Sequence, residues 1–342
     1  MVRVALIGYG LAGRVFHAPL IAATEGLELV AVVLRRTDEI IAAYPGVAVA
    51  TAEAVFADPG IDLVVVATPN DSHFDLAARA LKAGKHVVID KPFALTSAEA
   101  RHLIKLARGR LLSVFHNRRW DGDFLTLKTL VQDGTLGDVA YMESRFDFYR
   151  PGVQDRWRER AGPATGTWYD LGAHLLDQAL QLFGLPQAIY ADLAARRAGA
   201  LTTDYFHVLL RYDRLRVVLA GNCMTPTAMR FVVHGSRASF LKRGLDPQER
   251  QLAAGLRPGD AAFGAEANPA QLVTAVGERP VAVARGHYRT YYEGVRDTLR
   301  GLVPLPVTAG EALGVMELLE AAQRSAGSGC EVAISPAASC AP

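Results

Sequence analysis

The sequence predicts an α/β N-terminal domain built on a parallel sheet, followed by a C-terminal α+β domain built on a mostly antiparallel one. Two observations carry this. Up to about Arg118, short continuous apolar runs alternate with helical patterns, as in strands buried on both faces between helices. Beyond it the runs alternate apolar with polar residues and are joined by tight Asp/Arg or Gly/Ser turns, the pattern of antiparallel strands wetted on one face. The length, 342 residues with half of them apolar, suits two such domains, drawn here as 1–118 and 119–342.

In order, VRVALIG predicts the first strand and 11–24 a helix; LELVAVVL and IDLVVVA are strands, 71–83 a helix, KHVVID a strand, 97–107 a helix and LLSVFH a strand. In the second half, 124–132 is helical and DVAYMESRFDFYR extended. GTWYDLGAHLLDQALQLFG is helical, and DYFHVLLRYD, RLRVVLAGNCM, MRFVVHGS and ASFLKRG are strands. Pro and Gly thicken over 245–269, which reads as a long loop, and two helices, 288–300 and 309–325, close the chain.

Composition narrows the function class. Lys and Arg number 37 against 35 Asp and Glu, scattered rather than clustered, which argues against nucleic acid and anionic membrane as partners. No apolar run approaches the ~20 residues of a membrane span. The start, MVRVALIG, enters a strand at once and leaves no targeting leader. Cys223, Cys330 and Cys340 lack CxxC spacing. The expectation is a cytoplasmic protein with a small-molecule partner and no metal.

The first chemistry lies in VALIGYGLAGRVFHAP. Gly8, Gly10 and Gly13 form GxGxxG where the first strand meets the first helix: Gly8 for the tight turn, Gly10 for close approach of a pyrophosphate, Gly13 for helix-on-sheet packing. Gly8, Tyr9, Gly10, Leu11, Ala12 and Gly13 are therefore candidates to hold a dinucleotide, with helix N-terminal amides facing its phosphates. The second strand ends in Leu34, Arg35 and Arg36 where an acid for a free ribose 2′-hydroxyl would stand, and Glu28 comes too early to replace it. Two guanidiniums suit a 2′-phosphate, so NADP(H) is expected over NAD(H) as the cofactor. Thr68, Pro69, Asn70 and His73 follow the carboxyl end of a strand, the usual place for ligand contacts in open α/β sheets.

The helix at 166–184 raises a different question. Trp168, Leu171, Leu175, Ala179, Leu182 and Phe183 share one face; the other carries Asp170, His174, Asp177 and Gln181, without a Lys, Arg or Glu. A polar stripe of this kind faces either water or a pocket, and the pattern alone favours water.

VVVATPNDSHFDLAARALKAGKHVVIDKP, HNRRWDGDF and the helix with Asp170 and His174 together resemble the Gfo/Idh/MocA oxidoreductase family, and the match runs to VTAGEALGVMELLEAAQRSA. SVFHNRRWDGDFLTLK, DRWRERAGPATGTWYDLGAHLLDQALQLFG and HGSRASFLKRGLDPQE are similar to its NADP-dependent scyllo-inositol dehydrogenase subgroup. The resemblance implies a Rossmann domain followed by an open antiparallel sheet with helices on one face, and homodimers or homotetramers formed through that sheet. It turns the polar stripe toward the cofactor, where Lys91 of the DKP stretch meets it; Asp90 departs from the commoner Glu before that lysine.

The chemistry implied is hydride transfer between nicotinamide and a secondary alcohol or ketone. His174, with an unperturbed pKa of about 6.5, suits the proton-transfer role, Lys91 would polarise the oxygen, and Asp170 would orient the imidazole or bind a hydroxyl. Asn117, Arg118 and Trp120 at the domain junction, with Trp168, complete the expected substrate contacts. Arg118 and Arg119 equally suit an interdomain salt-bridge cluster, and Trp157, Trp168 and Tyr169 could wall the pocket, although aromatics at such spots are more often core. Two alternatives stand beside a cyclic polyol: another sugar or sugar-derived carbonyl, for which the same Lys and His would serve, and a non-catalytic dinucleotide sensor, whose mark would be loss of one of them.

Overall fold

A computed structural model describes residues 1–34, 40, 43–227 and 229–335; Arg35, Arg36 and Cys340 lie outside the described residues. By contacts the chain divides into two compact units, Met1–Asp121 with Pro247–Ala265 and Gly286–Met316, and Gly122–Asp246 with Glu266–Arg285 and Glu317–Pro342. The chain first leaves the first unit three residues beyond Arg118. It then returns twice, where the sequence reading draws one boundary. The return has a packing cause: Tyr288, Tyr291, Tyr292 and Val295 share one buried cluster with Leu6, Leu20, Val65 and Phe115.

The first unit is built on a six-stranded sheet in the order β3-β2-β1-β4-β5-β6. Its strands are β1 (Val2–Ile7), β2 (Leu27–Val33), β3 (Ala48–Val49), β4 (Leu63–Val66), β5 (His86–Ile89) and β6 (Leu112–Val114). Every pairing is parallel. β4 is buried at all four positions, as the run LVVV requires of a central strand covered on both faces. The order is that of a dinucleotide-binding doubly wound sheet, with its switch point between β1 and β4. The helix Ser97–Ala107 begins where the sequence offers a cap: Thr96 Oγ1 accepts from Glu99 N at 3.1 Å while Glu99 Oε2 accepts from Leu95 N at 3.0 Å.

The second unit is built on a nine-stranded sheet in the order β14-β13-β12-β11-β7-β10-β9-β8-β15. These are β7 (Val139–Arg145), β8 (Ala188–Ala194), β9 (Tyr205–Arg211), β10 (Arg216–Asn222), β11 (Met229–Gly235), β12 (Ser239–Arg243), β13 (Ala270–Thr274), β14 (Gly277–Val281) and β15 (Val332–Ala333). The pairing of β7 with β10 is parallel and the other pairings are antiparallel. The expected loop at 245–269 holds a short helix, Gln248–Ala253, and β13 and β14 follow it unforeseen. AQLVT is too short to stand out beside a Pro- and Gly-rich stretch, and GERPV, polar and Pro-bearing, lacks the apolar alternation that marks a half-buried strand.

The helix Ala173–Phe183 is tied to this sheet through Arg230 on β11, which is 2% exposed. Its guanidinium donates to Gln178 Oε1 and to Ser144 Oγ on β7, both at 2.6 Å, and Asp123 Oδ2 lies 3.6 Å away. The guanidinium also donates to the Arg145 carbonyl at 3.3 Å, and a buried cation with this set of partners fixes the helix over the sheet, because moving the helix would leave the charge short of them in the interior. Among the described residues no helix is long and apolar enough to cross a membrane.

Candidate active site

In the first unit the candidate residues sit at the carboxyl ends of β1, β2, β4, β5 and β6. Gly8 follows β1 at φ +102°, and a Cβ there would stand 2.4 Å from the Ala67 carbonyl oxygen at the end of β4. A Cβ on Gly13 would stand 2.1 Å from the Gly8 carbonyl oxygen. Both positions therefore admit only glycine, for packing. Gly10 is different, since a Cβ there would meet nothing within 4 Å. Open space against bare backbone is what an approaching pyrophosphate needs, and it fits a dinucleotide. Leu11 is 55% exposed on the same turn, while Tyr9, Ala12 and Leu34 pack against the core. The following helix contains a π-helical turn, Gly13–His17, that no residue pattern announced.

After β4, Ser72 Oγ lies 2.7 Å from both Thr68 Oγ1 and the Pro69 carbonyl, closing the turn, and Asn70 is buried. His73 is fully buried with Nε2 2.9 Å from the Thr68 carbonyl and Nδ1 2.8 Å from the Pro92 carbonyl. It joins the loop after β4 to the one after β5. Burial pushes its pKa below the usual histidine value, against the charge of Asp90 and the two carbonyl acceptors. Lys91 follows β5, and its backbone N–H donates to Asp90 Oδ1 at 2.9 Å. The Lys91–Pro92 peptide is cis.

Asn117, Arg118, Arg119 and Trp120 form one short helical turn after β6, the first three buried. Arg118 donates to Glu249 Oε2 at 2.5 Å and to the Tyr288 hydroxyl at 3.3 Å, and Asp121 Oδ2 lies 3.4 Å away. Arg119 donates to the Pro306 carbonyl and to Glu311. The Trp120 ring packs edge-on against Tyr291 at 5.9 Å. Arg118 and Trp120 thus have structural duties within this unit, where the sequence reading gives them substrate contacts; the salt-bridge reading describes the arginine better.

In the second unit the polar stripe is not a wetted face. A π-helical turn, Trp168–Gly172, leads into the helix Ala173–Phe183; His174 is 6% and Asp177 2% exposed, while Asp170 is partly open. The preference for water read from the pattern is corrected by this burial. Trp168 is corrected as well. At 1% exposure it donates from Nε1 to the Leu319 carbonyl at 3.2 Å and packs edge-on against Phe206 at 5.2 Å. A Cβ on Gly172 would stand 2.2 Å from its ring. The glycine one turn along makes room for the indole in the core, and no face of it is left for a substrate. Tyr169 is likewise buried, its hydroxyl donating to Gln323 at 2.9 Å.

The residue that sequence reasoning missed is Arg158, whose Nε lies 3.4 Å from Asp170 Oδ1. Its guanidinium also covers the Trp157 ring at 4.6 Å. The segment carrying it is held by a buried network: Arg197 donates to Asp204 at 2.9 Å, to Glu159 at 3.0 Å and to the Arg150 and Gly152 carbonyls at 3.0 and 3.1 Å. Burial works against the Glu159 charge, but the Gln154 N–H and the Arg156 and Arg197 cations hold its carboxyl below the usual range. Five arginines in DRWRER and ARRA read alike in one dimension, and nothing in the spacing separates the one beside Asp170 from those that fix the loop.

Known proteins bear on both units. Residues 2–117 match the family model described as the oxidoreductase family, NAD-binding Rossmann fold, and 128–334 match the oxidoreductase family, C-terminal alpha/beta domain. The chain is 51% identical over 333 residues to YdgJ of Escherichia coli, an uncharacterized oxidoreductase, covering 95% of this chain and 96% of that protein. It is 41% identical over 334 residues to IolW of Bacillus subtilis, a scyllo-inositol 2-dehydrogenase (NADP(+)), covering 95% and 93%. The solved structure of YPO2259 from Yersinia pestis superposes with a TM-score of 0.95 at 46% identity over 98% of each chain.

Proposed function

The chain belongs to the Gfo/Idh/MocA oxidoreductase family, and from that premise we propose that it moves hydride between NADP(H) and a secondary alcohol carbon of a cyclic polyol. Scyllo-inositol and its 2-keto counterpart come first. The observation that carries the chemistry is the stripe of Asp170, His174 and Asp177. Two of its members are withdrawn from water on a helix face without a basic residue, where an ordinary surface helix would carry solvated charge. The choice of inositol is supported by the likeness to IolW.

A bound NADP(H) would supply the hydride acceptor for oxidation and the hydride donor for reduction. His174 takes the hydroxyl proton during oxidation and gives it back during reduction, the general acid–base role that imidazole most often fills. Lys91 places a positive charge where alkoxide develops, and such a charge acts most strongly away from water. Asp170, held by Arg158, accepts from a substrate hydroxyl or steadies the imidazole one turn along. Arg158 adds donors for neighbouring ring oxygens, and a polar set that includes the buried His174 and Asp177 rejects analogues lacking hydroxyls because its members are then left unpaired. The Arg35–Arg36 pair supports NADP(H) over NAD(H) through the 2′-phosphate.

The test is NADPH oxidation with 2-keto-inositol beside glucose, anhydrofructose and simple ketones, together with the reverse assay on scyllo-inositol and myo-inositol. Turnover of the inositol pair and neglect of apolar ketones is the expected outcome. Strong activity on an aldose or open-chain ketone, with none on any inositol, would discard the inositol assignment. Cofactor binding without turnover of any carbonyl would favour the sensor.

A further inference from the structure

Behind Lys91, the first unit buries a row of three polar side chains that the motifs do not account for. His17 closes the π-helical turn Gly13–His17 with no exposed surface. Its ring lies against Phe115 at 4.4 Å. Nδ1 is 2.6 Å from the hydroxyl of Tyr292, itself fully buried on the helix Arg289–Leu299. Nε2 is 3.7 Å from Asp90 Oδ1, an ion-pair distance rather than a hydrogen bond, and that oxygen accepts the backbone N–H of Lys91. A π turn adds one residue to the helix and so re-aims the side chain at its end, and such turns are frequent at functional sites.

The charges order this row. Burial opposes ionisation of Asp90, yet the adjacent His17, and then the charges of Lys91 and His73, hold its carboxyl below the usual range. Tyr291 and Tyr292 also face it, and burial keeps both phenols protonated. An ionised carboxylate only accepts, so His17 must present N–H at Nε2. Nδ1 is left to pair with the Tyr292 hydroxyl at 2.6 Å, so the three side chains form one continuous row that ends at Asp90.

We propose that Tyr292 and His17 are positioning residues for Lys91. They fix the Asp90 carboxylate, and the carboxylate clamps the Lys91 backbone at the base of its side chain. The proposal rests on the reading of Lys91 as the group that polarises the substrate oxygen. It also gives a duty to Asp90: a short carboxylate held from behind by an imidazole keeps its oxygen on the Lys91 amide.

The experiment compares His17→Leu, His17→Gln and Tyr292→Phe with wild type, using Lys91→Ala as the reference for loss of the ammonium. Two readouts are taken: kcat on 2-keto-inositol against NADPH affinity, and the Lys91 amide resonance in nitrogen-15-lysine-labelled protein, identified by its absence from a Lys91→Arg sample. His17→Leu and Tyr292→Phe should lower kcat by about 10- to 100-fold, the scale of a misplaced catalytic group, with NADPH affinity unchanged. Both should shift the Lys91 amide signal upfield. His17→Gln, which can donate to Asp90 and accept from Tyr292, should restore kcat and the signal. If His17→Leu does not fold, Tyr292→Phe, which removes one oxygen, carries the test.

An unmoved Lys91 amide in Tyr292→Phe would overturn the proposal whatever the substrate proves to be. So would equal turnover by the Leu and Gln variants while Lys91→Ala is inactive. Full activity of Lys91→Ala would instead overturn the reading of Lys91, and the positioning role with it.

Discussion

Gly10 and Gly13 belong to one motif, yet the structure expects opposite consequences from giving each a methyl group. Gly10 lacks a positive φ, and its Cβ would meet nothing within 4 Å. Gly10→Ala should therefore fold at least as well as wild type, gaining about 0.4–1 kcal/mol from the restricted unfolded chain, or roughly 1–4 °C in Tm. The methyl nevertheless occupies the space through which a pyrophosphate reaches the backbone. Overpacking of about 1–3 kcal/mol at that contact corresponds to a loss in NADPH affinity of roughly 5- to 150-fold. Gly13→Ala puts its methyl 2.1 Å from the Gly8 carbonyl oxygen, a backbone atom that cannot swing aside, and should lose both stability and binding. Thermal unfolding without ligand, paired with NADPH titration by fluorescence, separates the two. Wild-type NADPH affinity in Gly10→Ala, or equal Tm losses in both variants, would refute the reasoning.

Lys91→Ala and His174→Asn should each lower kcat by about 10² to 10⁴ with NADPH affinity retained; near-normal turnover would make the altered residue structural. Arg35→Ala should weaken NADP+ about tenfold and leave NAD+ alone, and equal wild-type affinities for the two cofactors would remove the 2′-phosphate argument. Burial depresses the pKa of His73 and of His86, so their contribution to stability is complete above about pH 6.5 and is lost as pH falls through their lowered folded values. Tm should decline between about pH 7 and pH 5, less steeply in His73→Asn, and a rising Tm over that window would contradict the assignment.

The parts of the fold legible in the sequence are those governed by local pattern. Apolar runs such as LVVV predict buried parallel strands, and GxGxxG marks where the first of them turns into its helix. Long-range packing is illegible: nothing in YRTYYEGV says that Tyr288, Tyr291 and Tyr292 complete the core around Phe115 in the first unit. At the candidate site, the helical pattern puts Asp170 and His174 on one polar stripe, whereas Lys91 and the role of each come from the family resemblance, and the pattern misjudges their neighbours. A helical wheel places Trp168 on the apolar face without showing that Gly172 opens the core to its ring, which removes it from the pocket. The same wheel assumes a uniform turn, and both π turns, ending at His17 and Gly172, break that assumption where the chemistry lies. Arg118 and Arg158 look interchangeable in sequence. Only three-dimensional placement shows that one pairs with Asp121 and Glu249 and the other with Asp170.

The central claim is that hydride passes between a nicotinamide and a ring carbon of an inositol. NADPH carrying deuterium at C4 in the transferable position, incubated with 2-keto-inositol and the purified protein, puts it to the test by mass spectrometry of the product. The account predicts scyllo-inositol bearing one deuterium on the former carbonyl carbon, formed one-to-one with NADP+ and abolished in His174→Asn. NADPH oxidation without deuterium in any inositol, or deuterium appearing only in a sugar or open-chain alcohol, would contradict it.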